Sequence, residues 1–116
     1  MRVLDGEQVL MRIFVGEAGR QHGEPLYQRL VELLRREKIA GATVLRGVAG
    51  FGASSYLHAA HLLRLSQDLP MVIEVIDSQE HLDRVMPQID AMLGGGLVTL
   101  EKVRVVRYAP GKAEPA

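Results

Sequence analysis

One order of patterns occurs twice along the chain, and it constrains the fold more than any other feature. Each half contains a β-branched apolar segment, then an amphipathic helical segment, then a second apolar segment. A strand-helix-strand unit that occurs twice is the split βαβ pattern. It predicts an α+β sandwich of the order β-α-β-β-α-β, in which two helices cover one face of a four-stranded antiparallel sheet. The predicted strands are residues 8–17, 42–51, 70–76 and 97–108.

The two helical segments have recognisable ends. Pro25 suits the first turn of the first helix because its missing N–H is not needed there. Gly41 is predicted to end that helix as a C-cap. Either Asp77 or Ser78 is a candidate N-cap for the second helix, and Pro87 within it is expected to cost a backbone hydrogen bond and kink the helix. The glycines at 94–96 are predicted to stop it.

The length of 116 residues is sufficient for one hydrophobic core. We expect a single domain at 1–108 and a disordered tail at 109–116, where the sequence is APGKAEPA. If both helices lie on one face of the sheet, the other face is bare, although its strands carry apolar residues on both sides. Oligomerisation is the simplest way to cover that face, and clefts between subunits are common ligand sites.

Composition excludes several classes of protein. The 14 basic and 14 acidic residues balance, so no positive field is available for nucleic-acid binding. The absence of cysteine excludes disulfides and zinc-thiolate sites. The apolar runs are much shorter than the roughly 20 residues of a membrane-spanning helix. Residues 1–10 contain no apolar core of a secretion signal, and a cytoplasmic location is therefore expected.

Two glycine clusters are the first candidate binding elements. Gly47, Gly50 and Gly52 follow the second strand, and the second cluster is the run at 94–96. Glycines let backbone N–H groups approach an anion closely, which suits a phosphate. Neither cluster matches a Walker A or dinucleotide-binding fingerprint. A β-bulge and a helix C-cap explain the same glycines without a ligand, and the pattern alone favours that interpretation.

Cationic residues are the second candidate. Arg46 lies in the second predicted strand, and Lys102 and Arg104 share one face of the last strand. Such side chains bind phosphate or carboxylate groups where their face borders a cleft. An equally strong alternative is a solvated strand face that pairs with neighbouring carboxylates.

Histidines offer weaker candidates. His58 and His61 have the i, i+3 spacing that places two imidazoles on one side of a helical turn, as in a metal site. No further ligand stands at a metalloprotease spacing, so two exposed histidines are the favoured interpretation. His22 is a candidate acid-base residue, but the sequence has no nucleophile motif to accompany it. An enzyme is not expected.

Several stretches carry a resemblance to a known family. They are RIFVGE (12–17), PLY (25–27), GATVLRGVAGFG (41–52), LRLSQDLPMVIEVID (63–77) and GLVTLEKVRVV (96–106). Over about residues 8–108 the chain resembles the small PII-like proteins that are related to the nitrogen-regulatory PII signal transducers. It departs from PII proteins at Leu97, which follows Gly96 where the PII phosphate loop ends in a glycine and a lysine.

The resemblance implies a ferredoxin-like subunit that assembles as a homotrimer, with nucleotides in the clefts between subunits. By that analogy, residues 50–66 are the effector loop that meets partners, and the turn at 94–96 grips phosphate. One wall of the cleft would consist of Arg46, Gly47, Gly50 and Gly52. The other wall would consist of Gly95, Gly96, Lys102 and Arg104.

From this resemblance we expect a non-catalytic regulatory protein with an adenine nucleotide, AMP or ADP, as its regulatory ligand and with no obligatory cofactor. The implied protein partner is a transporter, a channel or an enzyme. Two alternatives stay open. One is a divalent-metal-binding trimer resembling the CutA family, which would use His58 and His61, and the other is a small enzyme with His22 in the cleft.

Overall fold

A computed structural model of the chain describes residues 3–52 and 68–109. The four main strands are β1 (Gly6–Gly16), β4 (Thr43–Arg46), β5 (Pro70–Asp77) and β6 (Leu97–Val105). They form one antiparallel sheet in the order β4-β5-β1-β6. The helices are α1 (Leu26–Arg36) and α2 (Gln79–Met92), and a short hairpin pairs β2 (Arg20–Gln21) with β3 (Glu24–Pro25). The predicted α+β fold is confirmed.

Both helices pack on the same face of the sheet. Side chains alternate along a strand, and every second residue of β1 and β5 is buried on this face. The apolar stripe of each helix meets them and forms one core cluster. From the sheet this cluster takes Val9, Met11, Ile13, Val15, Met71, Ile73 and Val75. From the helices it takes Leu26, Leu30, Leu33, Leu34, Leu82, Val85 and Ile89.

The opposite face, which we call the open sheet face, has no helix over it in the described residues. It carries the alternate set of side chains, and most of them are apolar. The apolar members are Leu10, Phe14, Leu45, Val72, Ile76, Leu97, Val103 and Val105. The apolar residues on both sides of the sheet are therefore explained by two faces, of which the described residues cover one.

An ion network lies in the middle of the open sheet face. Arg12 Nε is 2.7 Å from Glu74 Oε2, and Arg12 Nη1 is 2.6 Å from Glu101 Oε1. The hydrogen bonds to Glu74 and Glu101 raise the pKa of Arg12 above its ordinary value. Arg12 is therefore charged at every pH at which the protein is folded. Because two carboxylates share one guanidinium, the network has a net negative charge.

Helix α1 ends earlier than predicted. Its C-cap is Glu37, and Lys38 adopts a left-handed conformation with φ 61°. The Lys38 N–H donates to the Arg35 carbonyl, and the Ile39 N–H donates to the Leu34 carbonyl. These two bonds form a Schellman motif, which usually places glycine where Lys38 stands. The predicted C-cap at Gly41 is therefore wrong, because the motif had already closed the helix.

The second predicted strand is much shorter than 42–51. Strand β4 ends at Arg46, and the Gly47 N–H makes one more bond of 2.7 Å to the Pro70 carbonyl. Proline has no N–H to continue the ladder, so pairing stops where β4 meets Pro70. Strand β6 likewise ends at Val105, three residues before the predicted end.

The second helix begins as predicted and is continuous through Pro87. Its N-cap is Ser78, whose side-chain oxygen accepts the His81 N–H at 3.2 Å. Within 3–52 and 68–109, no helix is long and apolar enough to cross a membrane. Most of the predicted effector loop at 50–66 and, apart from Ala109, the predicted tail at 109–116 lie outside the described residues.

Candidate functional site

The first glycine cluster packs tightly against Pro70. A Cβ added to Gly47 would lie 3.3 Å from the Pro70 side chain and carbonyl oxygen. A Cβ on Gly50 would lie 2.9 Å from Pro70 Cγ, and Gly50 has φ 149°, a conformation that other residues rarely adopt. The fold itself therefore requires glycine at position 50 and leaves little room for a side chain at position 47. Gly52 is exposed and follows them.

The second glycine cluster contains two kinds of glycine. Gly96 has φ 126°, and a Cβ there would lie 2.8 Å from the Phe14 carbonyl oxygen. Gly94 and Gly95 have open space where their Cβ atoms would be. The turn therefore needs Gly96 for backbone geometry, whereas no contact in the described chain accounts for Gly95. A backbone without side chains next to open space is accessible to an anion.

Both glycine clusters lie at the same end of the sheet. Gly47 bonds to Pro70, which pairs with Gly16 at the end of β1, and Leu97 pairs with Phe14 near the same end. The clusters stand at opposite edges, because β4 and β6 are the outer strands. Three strand spacings separate these edges by roughly 14 Å. The single chain thus collects its glycines at one end without closing them into one pocket.

Arg46 lies at this glycine-bearing end, and a carboxylate holds it. Arg46 Nε is 2.8 Å from Glu17 Oε2, and Arg46 Nη2 is 3.0 Å from Glu17 Oε1. The two contacts make a bidentate pair. Our sequence analysis missed this role of Glu17. Opposite charges directly after β1 and at the end of β4 were the available signal, but the strand order was needed to show that these two ends flank β5.

Lys102 and Arg104 lie far from the glycines. In the sheet, Lys102 pairs with Val9 and Arg104 with Glu7, near the beginning of β1. Seven residues of strand separate Arg104 from Leu97, which corresponds to roughly 24 Å. Lys102 Nζ is 3.5 Å from Glu7 Oε1 and is exposed. Together with Gly6 and Val103, these residues line an open hollow of about 410 Å³. Within one chain the second predicted wall is therefore split, with Gly95 and Gly96 at one end of β6 and Lys102 and Arg104 towards the other.

A serine, a histidine and an aspartate meet at the start of α2, and their contacts are those of a helix cap. Asp77 is fully buried, and its carboxylate accepts the Ala40 N–H at 2.9 Å and the Ser78 N–H at 2.7 Å. Ser78 Oγ is 2.6 Å from His81 Nδ1, while the nearest Asp77 oxygen is 3.8 Å from that nitrogen. These groups join the loop before β4 to the end of β5 and to α2.

The remaining histidine candidates gain no support from the described residues. His22 lies at the exposed turn of the β2-β3 hairpin, in a left-handed conformation with φ 50°. No hydrogen bond in the described chain joins its ring to a nucleophile or a carboxylate. His58 and His61 lie outside the described residues. Within the described ranges, no group of three or more metal-binding side chains occurs.

Comparisons with known proteins agree with this fold. The profile of the DUF190 family, described as uncharacterized ACR, matches residues 8–105. A UPF0166 protein of Aquifex aeolicus is 37% identical over 106 residues, which is 91% of this chain and 98% of that protein. A UPF0166 protein of Methanocaldococcus jannaschii is 31% identical over 99 residues, covering 84% of this chain and 91% of that protein.

Solved structures with the same fold include PII-like proteins. A PII-like signalling protein of Thermus thermophilus matches with a TM-score of 0.62 and 20% identity, covering 89% of this chain and 94% of that one. The protein CPII of Thiomonas intermedia, bound to ADP and bicarbonate, matches with a TM-score of 0.55 and 19% identity, covering 87% and 90%. The resemblance to PII-like proteins is confirmed for the fold, and the chain belongs to the DUF190 (UPF0166) family.

Proposed function

We propose that this chain is a PII-like regulatory protein that binds an adenine nucleotide, AMP or ADP, in clefts between the subunits of a homotrimer. It acts without catalysis and reports the bound nucleotide to a protein partner. The observation that carries the proposal is the collection of both glycine clusters and Arg46 at one end of the sheet. Structures of the same fold have been solved with ADP, or with ADP and AMP.

The separation of the predicted residues favours a site between subunits. Gly95 and Gly96 lie at one end of β6, and Lys102 and Arg104 lie towards the other. In the proposed trimer, Lys102 and Arg104 of a second copy would lie at the glycine-bearing end of the first. The phosphates would then meet backbone N–H groups from one subunit and cations from its neighbour.

The open sheet face supports oligomerisation as the way to form that site. Leu45, Ile76 and Leu97 on this face are between 38 and 56% exposed in the single chain. These exposed apolar side chains lie on both sides of the Arg12 ion network, and exposed apolar surface rimmed by polar residues often marks an interface. If three copies packed their open sheet faces around a threefold axis, this apolar surface would be buried and the ends of the three sheets would lie beside one another.

The proposed effector is the segment 50–66, which begins at Gly50, within the first glycine cluster. A nucleotide bound beside Gly47 and Gly50 would contact the chain where this segment starts. Ligand binding would thereby shift the conformations that a partner recognises. The partner class expected from the resemblance, a transporter, channel or enzyme, stays a prediction, as do the cytoplasmic location and the single domain at 1–108.

A ligand panel tests the proposal against its rivals. The purified protein is titrated calorimetrically with AMP, ADP, ATP and divalent metals, and thermal unfolding is recorded in the same buffers. A ligand of the folded state raises the melting temperature by mass action. Stabilisation by AMP or ADP that is lost in Arg104→Ala supports the proposal. Stabilisation by metals alone, abolished by the double substitution of His58 and His61, would replace it with the metal-binding alternative. If the protein instead converts one of these ligands to a product and His22→Ala abolishes that activity, the small-enzyme alternative replaces the proposal.

A further inference from the structure

The pair formed by Arg46 and Glu17 has the geometry of an anion site that is already occupied. Two nitrogens of one guanidinium contact both oxygens of one carboxylate, at 2.8 and 3.0 Å. A phosphate offers two oxygens to arginine in the same bidentate arrangement. The Glu17 carboxylate therefore uses the donors that a phosphate would use.

The two residues reach one another across a third strand. Arg46 pairs in register with Met71, whose side chain is in the core, so Arg46 points to the helix side of the sheet. Glu17 continues β1 by one residue, and its N–H donates to the Leu69 carbonyl at 2.8 Å. Strand β5 lies between them. The pair thus bridges two strand ends directly beside Gly47.

We propose that Glu17 is an internal competitor for the anion-binding nitrogens of Arg46 and sets the affinity of this site for phosphate groups. The inference rests on the proposed function for the identity of its anion, the phosphates of an adenine nucleotide. A phosphate binds Arg46 by displacing the Glu17 carboxylate, and removal of the carboxylate strengthens anion binding.

The environment of the pair allows this exchange. The Arg46 side chain is 48% exposed and that of Glu17 is 27% exposed, so solvent and ions reach both. Ion pairs at such a surface are weak, and a phosphate with a larger charge competes with a single carboxylate. The backbone of Glu17 is fixed by its bond to Leu69, so only its side chain has to rotate.

A different role for Glu17 predicts the opposite effect. If the carboxylate instead holds Arg46 in the orientation that an anion needs, its removal weakens binding. The two roles are therefore separated by the sign of one change in affinity. Glu17→Gln removes the charge and keeps the size of the side chain. Glu24→Gln is the matched control, because it removes a carboxylate that pairs with Arg29 on the surface near β3.

The experiment measures the binding of inorganic pyrophosphate and of ADP to the full chain by calorimetry at fixed ionic strength. It compares the wild type, Glu17→Gln, Arg46→Ala, the double variant and Glu24→Gln, with thermal unfolding as the test of folding. We expect Glu17→Gln to bind pyrophosphate about two to five times more tightly, the range that corresponds to losing a weak competing ion pair. Arg46→Ala and the double variant should both bind weakly and equally, while Glu24→Gln should match the wild type.

The outcomes separate this inference from the proposed function. Unchanged or weaker pyrophosphate binding by Glu17→Gln overturns the competitor role. The role is also overturned if Glu17→Gln increases the affinity for pyrophosphate even when Arg46 is replaced by alanine. It is overturned as well if neither the wild type nor any variant binds pyrophosphate. If Glu17→Gln gains affinity as expected while ADP binds no better than pyrophosphate, Glu17 remains the competitor and the adenine-specific function is refuted instead.

Discussion

The carbonyl oxygen of Phe14 occupies the space that a side chain at residue 96 would need. A Cβ built on Gly96 lies 2.8 Å from that oxygen, and Gly96 has φ 126°. The turn before β6 is thereby fixed against β1 by backbone alone. Its neighbour Gly95 has no such constraint, since nothing lies within 4 Å of the position of its Cβ.

We predict that Gly96→Ala lowers the free energy of unfolding by roughly 1 to 3 kcal/mol, because its backbone conformation is strained for any other residue. Gly95→Ala is the matched control and should unfold like the wild type. Urea denaturation monitored by circular dichroism measures both. Equal stability of the two variants would mean that the close approach to Phe14 is relieved at no cost.

The buried carboxylate of Asp77 should be a major source of stability. Asp77→Ala leaves the N–H groups of Ala40 and Ser78 without their acceptor, and we expect a loss of roughly 2 to 4 kcal/mol. Asp77→Asn keeps one acceptor oxygen and should lose less. Ser78→Ala removes the helix cap and the side-chain hydrogen bond with His81, and should cost about 1 kcal/mol. Denaturation midpoints that rank Ser78→Ala below Asp77→Ala would contradict the role assigned to the carboxylate.

Lys38 offers a substitution that should stabilise the protein. It holds the left-handed position of the Schellman motif, where glycine has no steric penalty. Lys38→Gly should raise the free energy of unfolding by about 0.5 to 1 kcal/mol, since the greater freedom of glycine in the unfolded chain offsets part of the relief. Glu37→Gly, one residue earlier at φ −83°, is the control and should destabilise. A destabilised Lys38→Gly variant would refute this account.

The ion network of the open sheet face should control assembly, if the proposed trimer forms through that face. Arg12→Ala leaves the carboxylates of Glu74 and Glu101 close together and without their shared cation. At an interface between subunits, unpaired carboxylates strongly oppose association. Sedimentation velocity should show dissociation to smaller species, whereas Arg29→Ala on α1 should assemble like the wild type. An unchanged trimer in Arg12→Ala would place the interface elsewhere.

The sequence predicted the fold well because its strongest signals are local. The apolar stripe of Leu26 to Leu34 and the β-branched run of β5 specify elements wherever the chain places them. The end of β4 was not predictable, because it depends on Gly47 meeting Pro70, a proline 23 residues later. The end of α1 was missed because a lysine, not a glycine, adopts the left-handed conformation.

The candidate site was less predictable because it depends on which strands are neighbours. The glycines and Arg46 were found as residue types suited to anions. The pairing of Arg46 with Glu17 follows only from the order β4-β5-β1, in which two strand ends flank a third. The position of Lys102 and Arg104 at the far end of β6 follows from the register with β1.

The most direct test of the central claim is a calorimetric titration of ADP into four samples. They are the wild type, Arg46→Ala, Arg104→Ala and a co-refolded mixture of the two variants. An inter-subunit cleft takes Arg46 from one chain and Arg104 from its neighbour, so random mixing in a trimer restores about a quarter of the clefts. We predict binding by the wild type, loss in each variant and recovery of that fraction in the mixture. A wild type that does not bind ADP, or a mixture without recovery, would contradict the account.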